Sequence, residues 1–263
     1  MDYQFVTYSV KDRIGFITLD RAEKRNALNS QFISELKEVF KTAEDDESCK
    51  VIVLEANGDV FSAGADLEYL QSLQSYTRQE NIDDSNHLMG LFKQIYYLKK
   101  VVIASIQGHA IAGGCGLASV CDLSIAAESS KFGYSEVKIG FIPAIVSVFL
   151  LRKIGEGKTK ELLLTAKTIS AEEAVNIGLI NRCVPKEILK KSVLDLAQRL
   201  CTTASEESLS STKLMLAELQ NISLDEGLDL AVQKNAIARE NNDCKKGIEA
   251  FFKQKRYKLV KHL

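Results

Sequence analysis

Hydrophobic and polar residues alternate along the first twenty residues of the chain. This alternation covers residues 5–10 and 14–19, which are separated by Lys11 and Asp12, and it predicts a β-hairpin. From Asn29 onward the apolar residues recur at helical spacing, and Asn29 itself is a suitable N-cap. The chain is therefore predicted to begin with the order strand, strand, helix.

Similar units recur in the middle of the chain. Apolar runs predict buried strands at residues 50–56, 101–107 and 123–127, and a further short strand at 131–135. One helix is predicted to follow the polar stretch 76–84 and to end near Lys100, and another is predicted at residues 114–120. Repeated strand-turn-helix units with short connections predict an α/β fold with mostly parallel strands.

The periodicity becomes predominantly helical after Pro143. Six segments have helical spacing, and Ser170 and Ser223 are suitable N-caps for two of them. These segments are residues 156–165, 171–178, 186–202, 206–219, 225–240 and 244–253. We expect a core at residues 1–195 and a C-terminal helical region at 196–263, which packs on the core or on a neighbouring subunit.

The composition is that of a globular protein. Hydrophobic residues make up 46% and charged residues 26% of the 263 positions, which argues against disorder. The formal net charge of -1 offers no basic surface for nucleic acid. The N-terminal residues lack the basic and apolar regions of a secretory signal, so we expect a cytoplasmic location.

The cysteines predict neither a disulfide framework nor a metal site. They are scattered, without a CxxC pair or a nearby histidine cluster, so we expect reduced and mostly buried thiols. The six positions are Cys49, Cys115, Cys121, Cys183, Cys201 and Cys244.

One segment has the length of a membrane span, because no charged residue occurs between Lys100 and Asp122. Glycines and polar residues such as Gln107 and His109 interrupt it. A buried strand followed by a turn is therefore favoured over a membrane helix, and no membrane partner is expected.

Two loops have the same construction, in which a strand ends, small residues follow and a helix begins. They are Phe61-Ser-Ala-Gly-Ala-Asp66 and Ala112-Gly-Gly-Cys-Gly116, and neither continues into the Lys-Ser or Lys-Thr of a phosphate-binding loop. Small residues let a ligand approach backbone N–H groups, and a helix N-terminus adds a partial positive field. Two converging N–H groups would form an oxyanion hole; alternatively, the glycines serve only close helix–strand packing.

At these residues the chain resembles the crotonase, or enoyl-CoA hydratase/isomerase, superfamily, over nearly its whole length. The matching segments are Arg25-Asn-Ala-Leu28, Phe61-Ser-Ala-Gly-Ala-Asp66, Ile106-Gln-Gly-His-Ala-Ile-Ala-Gly-Gly114, Cys121-Asp122, Phe132-Gly-Tyr-Ser-Glu136 with Gly140 and Pro143, and Ala174 to Gly178-Leu179. The resemblance implies an α/β crotonase-like spiral of ββα units with a C-terminal helical trimerisation region. It also implies a homotrimer or a homohexamer.

The resemblance further implies an acyl-CoA site in which the N–H groups of Ala65 and Gly113 hold the thioester oxygen. The residues expected to border the substrate or its CoA are Ala27, Ala63, Ala65, Asp66, Leu67, Glu68, Gly113 and Gly116. CoA is part of the substrate, so no separate cofactor and no metal are expected.

The chain departs from the family pattern at one of two catalytic glutamates. Gly116 stands at the first position, and Glu136 remains at the second. Residues 135–147 resemble bacterial methylglutaconyl-CoA hydratase-like proteins, which are similar in having this glycine. We therefore expect hydration of an enoyl-CoA, 3-methylglutaconyl-CoA among the candidates, with Glu136 as the base. A Δ3,Δ2-enoyl-CoA isomerase and a non-catalytic acyl-CoA-binding scaffold are the alternatives.

Several polar residues near these motifs have alternative interpretations. Asp66 and Asp122 are expected to cap helices or join ion pairs rather than act on substrate. His109 is interpreted either as a ligand contact or as a buried, hydrogen-bonded histidine. Three further residues either line the acyl pocket or serve only packing, and they are Tyr69, Tyr76 and His87. The basic residues near the C-terminus either contact CoA phosphates or are simply solvated, and they are Lys253, Lys255, Arg256 and Lys258.

Overall fold

The computed structural model describes residues 3–252 and begins with the predicted hairpin. Strand β1 (Val6–Lys11) pairs antiparallel with β2 (Ile14–Leu19). The predicted helix follows as α1 (Ser30–Asp45), and the Asn29 side chain accepts a hydrogen bond from the Phe32 N–H at 2.8 Å. The cap satisfies one of the N–H groups that a helix start leaves without an intrahelical partner.

The central part of the chain forms three successive turns of a spiral, which confirms the predicted fold class. Each turn has a strand of a six-stranded sheet, a short strand of a four-stranded sheet and then a helical segment. The first turn comprises β3 (Val51–Ala56), β4 (Val60–Ser62), α2 (Leu67–Leu73) and α3 (Arg78–Tyr97). The second comprises β5 (Val101–Ile106), β6 (His109–Ile111) and α4 (Gly113–Val120). The third comprises β7 (Leu123–Ala127), β8 (Lys131–Gly133) and α5 (Ala144–Thr165).

The spiral places equivalent strands side by side. The larger sheet has the order β1-β2-β3-β5-β7-β10, where β10 is Arg182–Val184, and all its pairs except β1 with β2 are parallel. The smaller sheet has the order β4-β6-β8-β9, where β9 is Thr168–Ser170, and β4, β6 and β8 run parallel. All six residues of β5 are buried, because elements cover both faces of the larger sheet.

Helices make up most of the chain after Pro143. Besides α5, they are α6 (Ala171–Asn176), α7 (Lys186–Thr203), α8 (Glu206–Leu219), α9 (Leu224–Glu240) and α10 (Asn242–Phe252). Capping boxes confirm the predicted caps at Ser170 and Ser223. Leu189, Val193 and Ala197 of α7 pack against the larger sheet at a four-residue spacing. The predicted division after residue 195 falls within α7 and stays a prediction.

Three helical segments differ from the expectation. Helix α3 begins at Arg78, so most of the polar stretch 76–84 is helical, and a capping box between Thr77 and Glu80 starts it. Helix α2 was not predicted from the sequence. Helix α5 begins at Ala144 rather than at 156, and it bends at Gly155, whose φ is 74°. That glycine interrupts the helical pattern in the sequence.

The six cysteines, all within residues 3–252, are free thiols, and four of them are buried. No group of three or more histidine, cysteine or acidic residues in this part of the chain could hold a metal ion. None of its helices is long and apolar enough to cross a membrane. The basic residues Lys253, Lys255, Arg256 and Lys258 lie outside the described residues.

Four lysines within residues 3–252 donate hydrogen bonds from Nζ to backbone carbonyls at the C-terminal ends of helices. The last carbonyls of a helix have no intrahelical donor, and a cation also interacts favourably with the negative end of the helix dipole. The lysines and their helices are Lys50 at α7, Lys100 at α1, Lys153 at α4 and Lys213 at α3.

We expect Gly108→Ala to destabilise the protein, because Gly108 lies where the chain passes from β5 to β6. A Cβ atom there would lie 1.9 Å from the Asp59 carbonyl oxygen, so the backbone must move. Overpacking of this kind costs about 1–3 kcal/mol of unfolding free energy, measurable by urea titration. Gly157→Ala is the control: a Cβ there meets nothing within 4 Å, and alanine favours a helix by up to about 1 kcal/mol. Equal urea midpoints for the two variants would contradict this account.

Candidate active site

Three predicted site segments lie beyond the ends of neighbouring parallel strands. Ser62 of β4 pairs with Ala110 of β6, and Ala110 pairs with Phe132 of β8. The loop containing Ala65 follows β4, Gly113 follows β6 and Glu136 follows β8. Because the carboxyl ends of neighbouring parallel strands meet at one edge of a sheet, these three segments lie close together.

The two small-residue loops approach each other through their glycines. Gly64 has a φ of 90°, and a Cβ atom on it would lie 2.9 Å from the Ala112 Cβ and 3.2 Å from the Gly113 nitrogen. A Cβ on Gly113 would meet nothing closer than 3.8 Å, so the space above Gly113 is open. Glycine at position 64 therefore permits both the left-handed backbone and the close contact.

The backbone pairing at Ala65 fixes the direction of its N–H group. Leu28 donates to the Gly64 carbonyl at 2.7 Å, and Asp66 donates to the Leu28 carbonyl at 2.8 Å, which forms an isolated parallel bridge between Leu28 and Ala65. In such a bridge the amide of the central residue points to the side opposite its partner. Ala65 is itself exposed.

The Arg25-Asn-Ala-Leu28 segment supports the first loop. Arg25 and Asn26 both have a φ of 51°, and the Asn26 side chain donates to the Asn57 and Val60 carbonyls at 2.9 Å each. The Ala63 N–H donates to the Arg25 carbonyl at 3.0 Å. These bonds satisfy backbone groups of a tightly turned segment, in which Ala27 is buried.

A buried ion pair anchors the start of α2. Arg21 Nη1 lies 2.7 Å from Asp66 Oδ2, and Asp66 Oδ1 accepts the Glu68 N–H at 2.9 Å as the helix cap. Burial alone would raise the pKa of Asp66, but the Arg21 hydrogen bond and charge leave it below its ordinary value. Asp66 therefore has the capping and ion-pair role predicted for it, while Leu67 and Glu68 are exposed beside the loop.

Glu136 carries an unpaired carboxylate oxygen. It lies in a short 3₁₀ turn at residues 136–139, and its Oε2 is buried without a hydrogen-bond partner among residues 3–252. Burial raises the pKa of Glu136 above its ordinary value. Burial also raises the pKa of the Cys115 thiol in α4 to about 12, and the Glu136 carboxylate contributes in the same direction. A partly desolvated carboxylate with one unpaired oxygen next to α4 is suited to accept a proton.

The side chains of two other residues fill the space beside Gly116. A Cβ atom on Gly116 would lie 2.3 Å from Val146 Cγ1 and 3.0 Å from Phe92 Cε1, and both side chains are buried. Position 116 therefore has no room for a carboxylate. Sequence reasoning did not identify Val146 or Phe92, because only the packing of α3 and α5 against α4 brings them to this position.

The remaining candidates have structural partners. Asp122 lies 2.8 Å from Lys213 and accepts the Val102 N–H, which agrees with the predicted ion-pair role. His109 is exposed rather than buried, and its Nδ1 accepts the Lys131 N–H at 3.2 Å. The Tyr69 hydroxyl donates to Asp84, His87 contacts Ser34, and Tyr76 is exposed between α2 and α3.

We expect Glu136→Gln to stabilise the folded protein at neutral pH, because it removes a desolvated negative charge. A raised folded-state pKa means that the charge destabilises the fold increasingly as the pH rises from 4.5 through that pKa. The difference in unfolding free energy from wild type should therefore be larger at pH 7 than at pH 4, as measured by urea titration at both values. Glu128→Gln, at an exposed position, should differ little from wild type at either pH. A gain that does not depend on pH would contradict desolvation as its cause.

We expect the substitutions Gly116→Ala and Val146→Ala to compensate each other. Gly116→Ala alone places a methyl group against Val146 Cγ1, and Val146→Ala alone leaves a cavity. In the double variant the new methyl group takes up part of that space. A double-mutant cycle in urea should give a favourable coupling of about 0.5–3 kcal/mol. Strict additivity would show that the two side chains do not share this space.

Comparison with known proteins identifies the family of this chain. The family model described as enoyl-CoA hydratase/isomerase matches residues 9–259. A Thermus thermophilus protein classed as an enoyl-CoA hydratase is 39% identical over 93% of this chain and 96% of its own length. The crotonyl-CoA hydratase of Syntrophomonas wolfei is 30% identical over 99% of both chains.

Solved structures show the same fold. The crystal structure of an enoyl-CoA hydratase from Shewanella pealeana superposes with a TM-score of 0.91 at 28% identity, over 97% of this chain and 95% of that one. The matched family model spans nearly the whole described structure, including the three strand ends that form the candidate site. The chain belongs to the enoyl-CoA hydratase/isomerase family and is an enzyme of that family.

Proposed function

We propose that this enzyme hydrates the double bond of an α,β-unsaturated acyl-CoA thioester. The observation that carries the proposal is the unpaired Glu136 carboxylate oxygen, which follows β8, the strand next to those that lead into the Ala65 and Gly113 loops. The hydratase names of the two relatives described above support it. CoA belongs to the substrate, and the reaction requires no further cofactor or metal.

In this mechanism the Ala65 and Gly113 N–H groups donate hydrogen bonds to the thioester oxygen. Addition of water to the double bond moves negative charge onto that oxygen, so donors fixed in advance stabilise the transition state. Loss of one such donor typically costs about 2.7–4 kcal/mol of activation free energy. The N-terminal position of Gly113 in α4 adds the positive end of the helix dipole. The other residues predicted to border the substrate or its CoA keep that role in the proposal, and they are Ala27, Ala63, Asp66, Leu67, Glu68 and Gly116.

Glu136 is proposed to transfer both protons. Its unpaired oxygen accepts a proton from water while the water oxygen bonds to C3, and the double-bond electrons move onto the thioester oxygen as an enolate. When the carbonyl re-forms, C2 takes a proton from the Glu136 carboxyl. A water beside Gly116 is a less suitable donor, because Val146 and Phe92 fill that space.

Isomerisation of a 3-enoyl-CoA is the second candidate, and the filled space beside Gly116 favours it. A single carboxylate is sufficient for this reaction. Glu136 would take a proton from C2, the electrons would pass through the same enolate, and Glu136 would return the proton to C4 to give the conjugated ester. Hydration ranks first because the relatives named above are hydratases.

For the substrate we propose a branched, carboxylated enoyl-CoA such as 3-methylglutaconyl-CoA. Residues 135–147 resemble the proteins that hydrate it, and exposed apolar residues next to Glu136 provide surface for a branched chain: Val137, Ile139, Phe141 and Ile142. The 2,3-dehydroadipyl-CoA hydratase of Escherichia coli, which is 28% identical over 94% of this chain, has a carboxylated substrate by name.

We also propose a homotrimer, or a hexamer built from trimers. Support comes from α9, where Leu224, Leu228 and Val232 are exposed at a four-residue spacing, and from the exposed Phe251 and Phe252 at the end of α10. An apolar stripe of this kind is typical of a surface that another protein covers.

The test is the absorbance of the enoyl-thioester band when the enzyme is mixed with 3-methylglutaconyl-CoA, crotonyl-CoA or a 3-enoyl-CoA. We expect loss of the band with the conjugated esters, fastest with 3-methylglutaconyl-CoA. Glu136→Gln should lower kcat by about 100-fold or more while CoA-ester affinity stays within a few fold, because a general base contributes about 10²–10⁴-fold.

The control for this assay is Glu128→Gln, which should retain wild-type turnover. Growth of the band with the 3-enoyl ester alone would replace hydration by isomerisation. Acyl-CoA binding without turnover of any ester would favour a non-catalytic acyl-CoA-binding protein, and undiminished turnover in Glu136→Gln would overturn the role of that residue.

A further inference from the structure

Lys153 of α5 binds the C-terminal end of the helix whose N-terminal end carries Gly113. Its Nζ donates to the Ser119 carbonyl at 2.7 Å and to the Cys121 carbonyl at 2.9 Å. Ser119 lies in the last turn of α4, and Cys121 is its C-cap. One ammonium group therefore satisfies two carbonyls that have no donor within the helix.

The distance between the two ends of α4 is small. The helix has eight residues, so it is about 12 Å long. A displacement or tilt of its C-terminal end therefore moves the first amides by a similar amount. The Gly113 nitrogen lies beside Gly64, where a Cβ atom would come within 3.2 Å of it, so the position of the Gly113 N–H depends on what holds both ends of the helix.

The acidic residue near this end of α4 already has a cationic partner other than Lys153. Asp122 already pairs with Lys213 at 2.8 Å and accepts the Val102 N–H at 2.7 Å. Lys153 thus adds a positive charge at the negative end of the helix dipole. Burial lowers the pKa of Lys153, and the neighbouring Cys121 and Asp122 oppose that shift.

We propose that Lys153 is a positioning residue for the reaction: by holding the C-terminal end of α4 it sets the Gly113 N–H against the substrate oxygen, and its charge strengthens the positive field at the opposite end. This inference rests on the proposed function, in which that N–H binds the thioester oxygen. Lys153 itself contacts no substrate.

Lys50 provides a matched control. Its Nζ donates to the Cys201 carbonyl at 3.0 Å and to the Ala204 carbonyl at 2.6 Å, which caps α7 in the same manner. Burial lowers its pKa as it does for Lys153. Helix α7 packs against the larger sheet, and its residues are separate from the three strand ends of the site. Loss of Lys50 thus removes an equivalent cap without moving Gly113.

The experiment compares wild type with Lys153→Met, Lys153→Arg and Lys50→Met. It measures Tm, kcat and KM for crotonyl-CoA, and the shift of the absorption band of 2,4-hexadienoyl-CoA on binding, because polarisation of the carbonyl moves that band to longer wavelength. We expect Lys153→Met to lower kcat about tenfold with KM within twofold, and to reduce the band shift. Lys153→Arg, which keeps the charge and the donors, should recover most of both.

Lys50→Met should lower Tm yet keep the wild-type kcat and band shift. Wild-type kcat and band shift in Lys153→Met, or an equal loss of both in Lys50→Met, would overturn the positioning role. If Lys153→Met does not fold, Lys153→Gln, which retains donors but no charge, is judged by the same two readouts. A wild-type enzyme that binds the dienoyl ester without any band shift would instead overturn the proposed function, and the positioning role with it.

Discussion

The parallel pairing of β4, β6 and β8 is the constraint on which the candidate site depends. Each short strand belongs to a different turn of the spiral, and each is followed by a segment that takes part in the proposed reaction: the Ala65 loop, the N-terminus of α4 and the turn with Glu136. These segments are far apart in the sequence, but strand pairing brings the carboxyl ends of the three strands to one edge of the smaller sheet. The site is therefore as rigid as the small sheet that supports it.

That constraint has a local cost in backbone strain. Ala112, the residue before α4, has a φ of 50°, a conformation that non-glycine residues rarely adopt, and such a residue typically costs about 1–3 kcal/mol. Its N–H donates to the Gly133 carbonyl at 2.8 Å, which fixes the loop after β6 to β8. The strained turn starts α4 beside Gly64. The hydrogen bonds around Leu28 and Asn26 hold the opposite loop in place.

The buried and half-buried charged groups differ in whether they have structural partners. Lys50, Lys100 and Lys153 each satisfy two carbonyls at a helix end, and Arg21 pairs with Asp66. Glu136 is different, because its buried Oε2 has no hydrogen-bond partner in the described part of the chain. An unsatisfied buried oxygen disfavours the folded state, and the same lack of partners leaves it available to a water or a substrate proton.

The amino-acid sequence by itself determined the elements and the family. Alternation predicted β1 and β2, and apolar runs predicted β3, β5 and β7. The helix caps at Asn29, Ser170 and Ser223 were also predictable, because capping depends on residues close in sequence. The two small-residue loops and Glu136 were also identifiable, since each motif is contiguous. The start of α5 and the helical part of the polar stretch were missed, because Gly155 and exposed polar residues obscure the periodicity.

The tertiary structure alone decided how these motifs combine. Only strand pairing shows that Ala65, Gly113 and Glu136 follow adjacent strands, and only packing shows that Val146 and Phe92 fill the space at Gly116. The burial of Glu136 Oε2 and the link from Lys153 to α4 have no local sequence pattern. These features depend on contacts between distant segments, whereas periodicity and capping report only interactions within a few residues.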